Sequence, residues 1–253
     1  MPKMDEFRRN AQEAIDWIAR YYENIETYPV KSQVQPGEIY NELPASMPDT
    51  GEQIDRMIRD FDDALLKGIT HWQSPKFFAY FPANTSVPSM IAEMITAAMG
   101  VQGMKWETSP AAAELEQKVM EWLRDAIGLP GEFEGTIQDS ASTSTLVSIL
   151  TAREKVTDYA VNEEGLQGKG AFRVYGSVET HSSIERAVKV AGLGRRNLVK
   201  VPVDEAYRMR PGELEAAIRQ DLEDGYRPLC IVATLGTTGS TSVDPLPQIA
   251  EIS

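Results

Sequence analysis

A regular alternation of strand-like and helix-like segments fills the second half of the chain, and it restricts the fold more than any other feature. Short apolar runs such as FRVYGS (172–177) and LCIVATL (229–235) alternate with amphipathic stretches such as PGELEAAIRQDLEDG (211–225). Parallel strands need long crossover connections, which helices usually supply. The alternation therefore predicts an α/β fold in which a mainly parallel sheet is covered by helices.

The first part of the chain has a helical pattern but no strand to pack against. Apolar residues recur at helical spacing over residues 7–25 and again over 54–65. Thr50 and Gln53 match a capping box at the start of the second helix, and the proline-containing connector between the two helices is expected to be extended. Two such helices cannot enclose a core, so they must pack against the rest of the chain or another subunit.

These patterns divide the chain into a helical amino-terminal segment over 1–82 and a larger domain over 83–253. Within the domain, further helices are expected to begin at residues 88 and 110, and the polar stretch 157–170 is interpreted as a mobile surface excursion. The last ten residues, DPLPQIAEIS, begin another helix with no closing strand after it. We therefore expect the chain to be part of a longer or two-chain protein.

Composition and motif searches exclude several classes of protein. A net charge of −13 disfavours nucleic acid or an anionic membrane as the main partner. The single cysteine, Cys230, allows no disulfide framework, and with only two histidines a metal site is not expected. No apolar run is long enough for a membrane span or a signal peptide, which favours the cytoplasm. Dinucleotide, P-loop, zinc-protease and nucleophile-elbow motifs do not occur.

A cluster of small hydroxyl residues opens one predicted helix, in the stretch GTIQDSASTSTLVSIL (135–150). The first turn of a helix carries unpaired N–H groups and a partial positive charge, so it stabilises an anion. Ser140, Ala141, Ser142 and Thr143 therefore form a candidate phosphate cradle without any lysine or arginine. The alternative is that the hydroxyls only cap a buried helix.

Two further polar segments follow predicted strands. His181 lies where the strand FRVYGS gives way to a helix, and residues 236–239, GTTG, follow LCIVATL. Parallel sheets place ligands at the carboxyl ends of their strands, so these segments and the cradle are expected to meet in one crevice. For His181 alone, helix capping is the alternative, and a structural role is favoured for His71.

Segments along nearly the whole chain carry a family resemblance. They include GITHWQSPKFFAYFPANTSVPSMIAEM (68–94), WETSPAAAELEQKVMEWL (106–123), IQDSASTSTLVSILTAR (137–153), THSSIERA (180–187) and VATLGTTGSTSVD (232–244). In this order they resemble the group II pyridoxal-phosphate decarboxylases, and within that group the aromatic L-amino-acid decarboxylases. The resemblance implies a fold type I enzyme with pyridoxal 5'-phosphate as cofactor, and a homodimer with active sites at the subunit interface.

The resemblance also implies roles for individual residues. Ala141 and Ser142 match positions that hold the cofactor phosphate, and His181 matches the catalytic histidine that stacks on the pyridine ring. Thr237 and Asp244 fall in the last matching segment and are assigned to the cofactor site. The lysine joined to the cofactor, the carboxylate that pairs with the pyridine nitrogen, and a mobile loop with a catalytic tyrosine all match sequence beyond residue 253.

Other matching positions line the substrate pocket of the family, the last two lent by the partner subunit: Tyr80, Phe81, Pro82, Ala83, Gln102 and Met104. Ala83 stands where animal enzymes have threonine, and Asp139 where they have glycine. Gln102 and Met104 replace an apolar residue and a phenylalanine. This more polar pocket leaves tryptophan, tyrosine, phenylalanine and dopa as candidate substrates.

The function that the resemblance implies is decarboxylation of an aromatic L-amino acid to an amine and carbon dioxide. A decarboxylation-dependent aldehyde synthase, or another reaction of fold type I enzymes, is the alternative within enzymes. The alternative outside enzymes is a noncatalytic dimerisation or regulatory piece that binds phosphate compounds without chemistry.

Overall fold

A computed structural model describes residues 4–81 and 85–253. The chain forms two compact units, Met1–Met99 and Gly100–Ser253. No helix among the described residues is long and apolar enough to cross a membrane. The division into a segment 1–82 and a domain 83–253 remains a prediction.

The first unit is helical. Its helices are α1 (Met4–Glu23), α2 (Glu38–Glu42), α3 (Ile54–Asp60) and α4 (Val87–Met99). Apolar residues of α1 and α3 face each other, and Trp17 of α1 packs edge-on against Phe61 with ring centroids 5.2 Å apart. The helical periodicity of α1, α3 and α4 is thus confirmed.

Two local predictions in this unit are wrong. The second amphipathic helix begins at Ile54 and not at Thr50, because Gln53 is extended (φ −74°, ψ 146°) and makes no side-chain cap hydrogen bond. Glu52 instead pairs with Arg56 across the helix start, 3.1 Å apart. The connector expected to be extended contains α2, which follows Gly37 at a positive φ of 92°.

The second unit contains the sheet. Its strands are β1 (Phe172–Ser177), β2 (Leu198–Val201) and β3 (Arg227–Val232). Its helices are α5 (Pro110–Ala126), α6 (Ala141–Val156), α7 (Ala160–Glu164), α8 (Ser182–Val190), α9 (Pro211–Glu223) and α10 (Leu246–Ile252). The alternation read from the sequence is confirmed.

The strands are parallel in the order β2-β1-β3, and helices cover both faces of the sheet. Alternate side chains of β1 point to opposite faces. Phe172 and Val174 join α6 and α8 in one apolar core, while Tyr175 joins α9 and α10 in the other. Burial on both faces explains why the strands read as continuous apolar runs.

The stretch 157–170, expected as a mobile excursion, contains the short helix α7 and is tied to the core. Val161 is buried, and the Asn162 N–H donates to Glu154 Oε2 at 3.2 Å. Arg227 Nη1 donates to the Lys169 carbonyl at 3.1 Å. The polar composition of the stretch therefore reflects its surface position and not a lack of structure.

Candidate active site

Helix α6 lies along the sheet with its first turn toward the carboxyl ends of the strands. Its last residue, Val156, accepts a hydrogen bond from Arg227 Nη2 at 3.2 Å, and Arg227 begins β3. Arg153, near the same helix end, donates to the carbonyl of Ala191 at the end of α8, 3.0 Å away. The amino ends of α6 and α8 therefore both point to the carboxyl edge of the sheet, where β3 also ends.

The first turn of α6 offers unpaired donors. Ser140 caps the helix, its Oγ accepting the Thr143 N–H at 3.2 Å. The N–H groups of Ala141 and Ser142 have no acceptor among the described residues, and the exposed Ser142 hydroxyl has no partner there either. One turn further on, the Thr145 hydroxyl is already used, because it donates to the Ala141 carbonyl. Donors with these properties fit a phosphate ester.

His181 is the N-cap of α8, as the capping alternative required. Its Nδ1 accepts the Ser183 N–H at 3.2 Å, which leaves the ring proton of the neutral imidazole on Nε2. The turn before it is tight, since a Cβ on Gly176 would lie 3.0 Å from Thr180 Oγ1. The ring thus sits at the carboxyl edge in an orientation that the cap hydrogen bond restricts.

The loop after β3 contributes a third segment to this edge. Gly236, at a φ of 103°, starts a turn in which Thr237 is 1% exposed and its Oγ1 accepts the Ser242 N–H at 3.1 Å. The Thr237 hydroxyl also lies 2.7 Å from Ser240 Oγ. Thr238 is exposed, and its hydroxyl has no partner among the described residues. The sequence offered both threonines of this segment, and it gives no signal of which one faces inward. The assignment of Thr237 to the cofactor site remains a prediction.

Asp244 closes the same loop and is 2% exposed. Its Oδ1 accepts the Met209 N–H at 2.7 Å, and its Oδ2 accepts the Thr234 N–H at 2.8 Å. The Leu235 and Val243 backbones pair beside it as an isolated antiparallel bridge. Both carboxylate oxygens therefore accept main-chain N–H groups, one at the start of the loop and one in the segment after β2.

The residues assigned to the substrate pocket fall in both units. Tyr80 is 72% exposed, adopts a positive φ of 58°, and stacks on Trp72 with ring centroids 5.6 Å apart. Phe81 is also exposed, whereas Pro82 and Ala83 lie outside the described residues. In the second unit, Gln102 and Met104 are exposed in the segment before α5. The assignment of these residues to one pocket remains a prediction.

The other histidine and the cysteine have packed environments. His71 is buried, accepts or donates at Nδ1 to the Tyr21 hydroxyl at 2.8 Å, and stacks on Tyr28. Burial lowers its pKa, and burial raises the pKa of Cys230 to about 11. Among residues 4–81 and 85–253, no group of three or more histidine, cysteine or carboxylate side chains could hold a metal ion.

Comparison with known proteins identifies the family. Residues 36–253 match the pyridoxal-dependent decarboxylase conserved domain. The chain belongs to this family. The parallel sheet covered by helices matches the solved structures of such decarboxylases, so the predicted α/β fold type I is confirmed.

Relatives within the pyridoxal-dependent decarboxylase family are named for aromatic substrates or products. The chain is 41% identical to phenylacetaldehyde synthase of Arabidopsis thaliana and 38% identical to tyrosine decarboxylase 4 of Petroselinum crispum, covering 98% of this chain in both cases. The crystal structure of Catharanthus roseus tryptophan decarboxylase with L-tryptophan superposes with a TM-score of 0.92 at 37% identity, over 100% of this chain and 54% of that one. The chain spans about half the length of the two sequence relatives, at 51% and 50%.

Proposed function

We propose that the protein containing this chain decarboxylates an aromatic L-amino acid to the corresponding amine and carbon dioxide, using pyridoxal 5'-phosphate. The observation that carries the proposal is the meeting of three segments at one sheet edge: the first turn of α6, His181 at the start of α8, and the loop after β3. Family membership and the names of the relatives support the same reaction.

The chain's own residues would bind and orient the cofactor. The free N–H groups of Ala141 and Ser142, with the Ser142 hydroxyl, are suited to the phosphate, because they stabilise negative charge without a basic side chain. His181, restricted by its cap, would lie flat against the ring and keep the bond to be broken aligned with the ring's π system. Thr238 offers a hydroxyl from the third segment. When bound, pyridoxal phosphate supplies an electron-accepting ring that stabilises the charge left as carbon dioxide departs.

The proposed substrate pocket combines aromatic and polar side chains. The exposed rings of Tyr80 and Phe81 would contact an aromatic substrate, and the partner's Gln102 and Met104 would complete the wall. This arrangement requires the homodimer that the family resemblance implies. We also propose a cytoplasmic location, in keeping with the single, partly buried cysteine, Cys230.

The second candidate is an aldehyde synthase, because one relative at 41% identity is named phenylacetaldehyde synthase. The deciding experiment supplies the full-length protein with pyridoxal phosphate and, separately, L-tryptophan, L-tyrosine, L-phenylalanine and L-dopa. Released carbon dioxide together with amine supports the decarboxylase, while aldehyde together with hydrogen peroxide supports the synthase. Failure to release carbon dioxide from all four substrates refutes both and leaves the noncatalytic interpretation.

A further inference from the structure

The carboxylate of Asp244 joins two separate segments of the second unit. Its Oδ1 accepts the N–H of Met209 at 2.7 Å, and its Oδ2 accepts the N–H of Thr234 at 2.8 Å. The Asp244 N–H in turn donates to the Thr234 carbonyl at 2.9 Å. Because Asp244 is 2% exposed, water does not compete for these bonds, and hydrogen bonds to a charged acceptor are the stronger kind.

The two segments lie on either side of β1. Thr234 follows β3, whereas Met209 belongs to the crossover after β2, where it pairs with Val203. The loop that contains Thr237 and Thr238 leaves the sheet after Thr234 and returns at Asp244. The side chain of Asp244 therefore anchors both ends of that loop and fastens them to a neighbouring crossover.

We propose that Asp244 is a positioning residue of the cofactor site: it holds the loop 235–243 in place and does not contact the cofactor. The proposal rests on the proposed function and deepens it. Both donors are main-chain N–H groups, so only a group with two acceptor oxygens satisfies them. An amide in this place would turn its own NH₂ group toward one of the two N–H groups and leave that donor unpaired.

Thr237 extends the same arrangement inside the loop. Its Oγ1 accepts the Ser242 N–H at 3.1 Å, and both the Gly236 and Thr237 N–H groups donate to the Ser242 carbonyl at 3.0 Å. With the anchor and these bonds in place, Thr238 is the threonine left exposed at the sheet edge. Loss of the anchor would release the loop and with it the position of Thr238.

The test compares Asp244→Asn with Asp221→Asn in the full-length protein. Asp221 is a matched control: it is also buried, accepts the Tyr175 hydroxyl at 2.9 Å, and lies 3.2 Å from Arg173 Nε near the amino end of β1. The measurements are the dissociation constant for pyridoxal phosphate, the visible circular dichroism of the bound cofactor, and amide hydrogen exchange without cofactor.

Both variants are expected to unfold at a lower temperature. Only Asp244→Asn should weaken pyridoxal phosphate binding, by roughly tenfold or more, because one hydrogen bond to a charged group is replaced by an unpaired donor. It should also change the circular dichroism and speed amide exchange in residues 235–243. Asp221→Asn should retain the wild-type dissociation constant.

Should Asp244→Asn fail to fold, Thr237→Val provides the second variant, since it removes the internal acceptor and leaves the anchor intact. It is expected to weaken cofactor binding and speed exchange in the same loop. Wild-type affinity in the folded Asp244→Asn or Thr237→Val protein, or equal losses in the Asp221→Asn control, overturns the positioning role alone. A wild-type protein that binds no pyridoxal phosphate overturns the proposed function, and the positioning role with it.

Discussion

At the scale of single residues, His181 has an observed role as a helix cap and a proposed role in orienting the cofactor, and the two can be separated. As the N-cap of α8 it satisfies the Ser183 N–H, and as a flat ring it would orient the cofactor. His181→Ala removes both roles, and loss of a cap costs about 0.5–2 kcal/mol of stability. His181→Asn keeps a side-chain acceptor for the cap but has no ring.

We therefore expect both variants to lose turnover by orders of magnitude, while only His181→Ala loses stability. Thermal unfolding and carbon dioxide release under saturating substrate measure the two effects. If His181→Asn keeps near wild-type turnover, the ring has no catalytic part and His181 is only a cap.

We expect His71 to make the stability of the first unit depend on pH. The ring is buried against Tyr21 and Tyr28, and burial lowers its pKa below the ordinary value of 6.5. The unfolded chain therefore binds this proton at a higher pH than the folded chain does. The stability associated with the neutral ring is complete above pH 6.5 and is lost as the pH falls through the lowered pKa.

Denaturant unfolding between about pH 5.5 and 7.5 tests this expectation, because most carboxylates have finished titrating in that range. The wild-type free energy of unfolding should decrease as the pH is lowered. His71→Gln, which can still bond the Tyr21 hydroxyl but does not titrate, should have a flatter profile. Parallel profiles would show that another group is responsible.

At the scale of elements, two serines in the first turn of α6 are expected to have different roles: Ser140 caps the helix and Ser142 binds phosphate. Ser140 accepts the Thr143 N–H, so Ser140→Ala should cost about 1 kcal/mol in stability. Ser142 is exposed and its hydroxyl has no partner among the described residues. Ser142→Ala should leave stability unchanged and weaken pyridoxal phosphate binding.

Chemical denaturation and cofactor titration of both variants measure these effects. The phosphate proposal predicts that the affinity loss follows Ser142. An unchanged dissociation constant in Ser142→Ala, together with a stability loss in Ser140→Ala, would leave capping as the only role of this serine cluster.

The same elements show what the sequence could predict. Strands β1 and β3 were predictable because burial on both faces leaves continuous apolar runs, and α9 because its apolar spacing is regular. The start of α3 was not predictable, because the capping-box pattern at Thr50 is only a local signal, and Gln53 is extended and makes no side-chain cap hydrogen bond.

The sequence predicted the location of the candidate site better than it predicted the contacts within the site. The order of strands and helices puts Ser142 and His181 at one edge, and chain order is visible in the sequence. Which of Thr237 and Thr238 is buried depends on the turn at Gly236 and on the Asp244 carboxylate ten residues from its Thr234 partner. Such hydrogen bonds between distant positions leave no local pattern.

At the scale of the whole molecule, the first unit exposes an apolar groove that a homodimer would bury. The groove has a volume of about 390 Å³ and lies between α1 and α4, and its lining is almost entirely apolar: Ile15, Ile18, Ala19, Tyr22, Thr85, Val87, Met90, Ile91 and Met94. The sequence of α4, VPSMIAEMITAAM, has a single charged residue, so most of the surface of this helix is apolar. An exposed surface of this kind is typical of an interface.

Met94→Glu tests the homodimer. A carboxylate in a buried interface costs several kcal/mol unless it is paired, and a twofold axis introduces the charge twice. We expect the variant to sediment as a monomer and, because Gln102 and Met104 would be supplied across the interface, to lose turnover in proportion to the monomer fraction. Val190→Glu, on an exposed position of α8, should change neither property. A wild-type protein that already sediments as an active monomer would contradict the shared active site, since every residue of the pocket would then have to come from one chain.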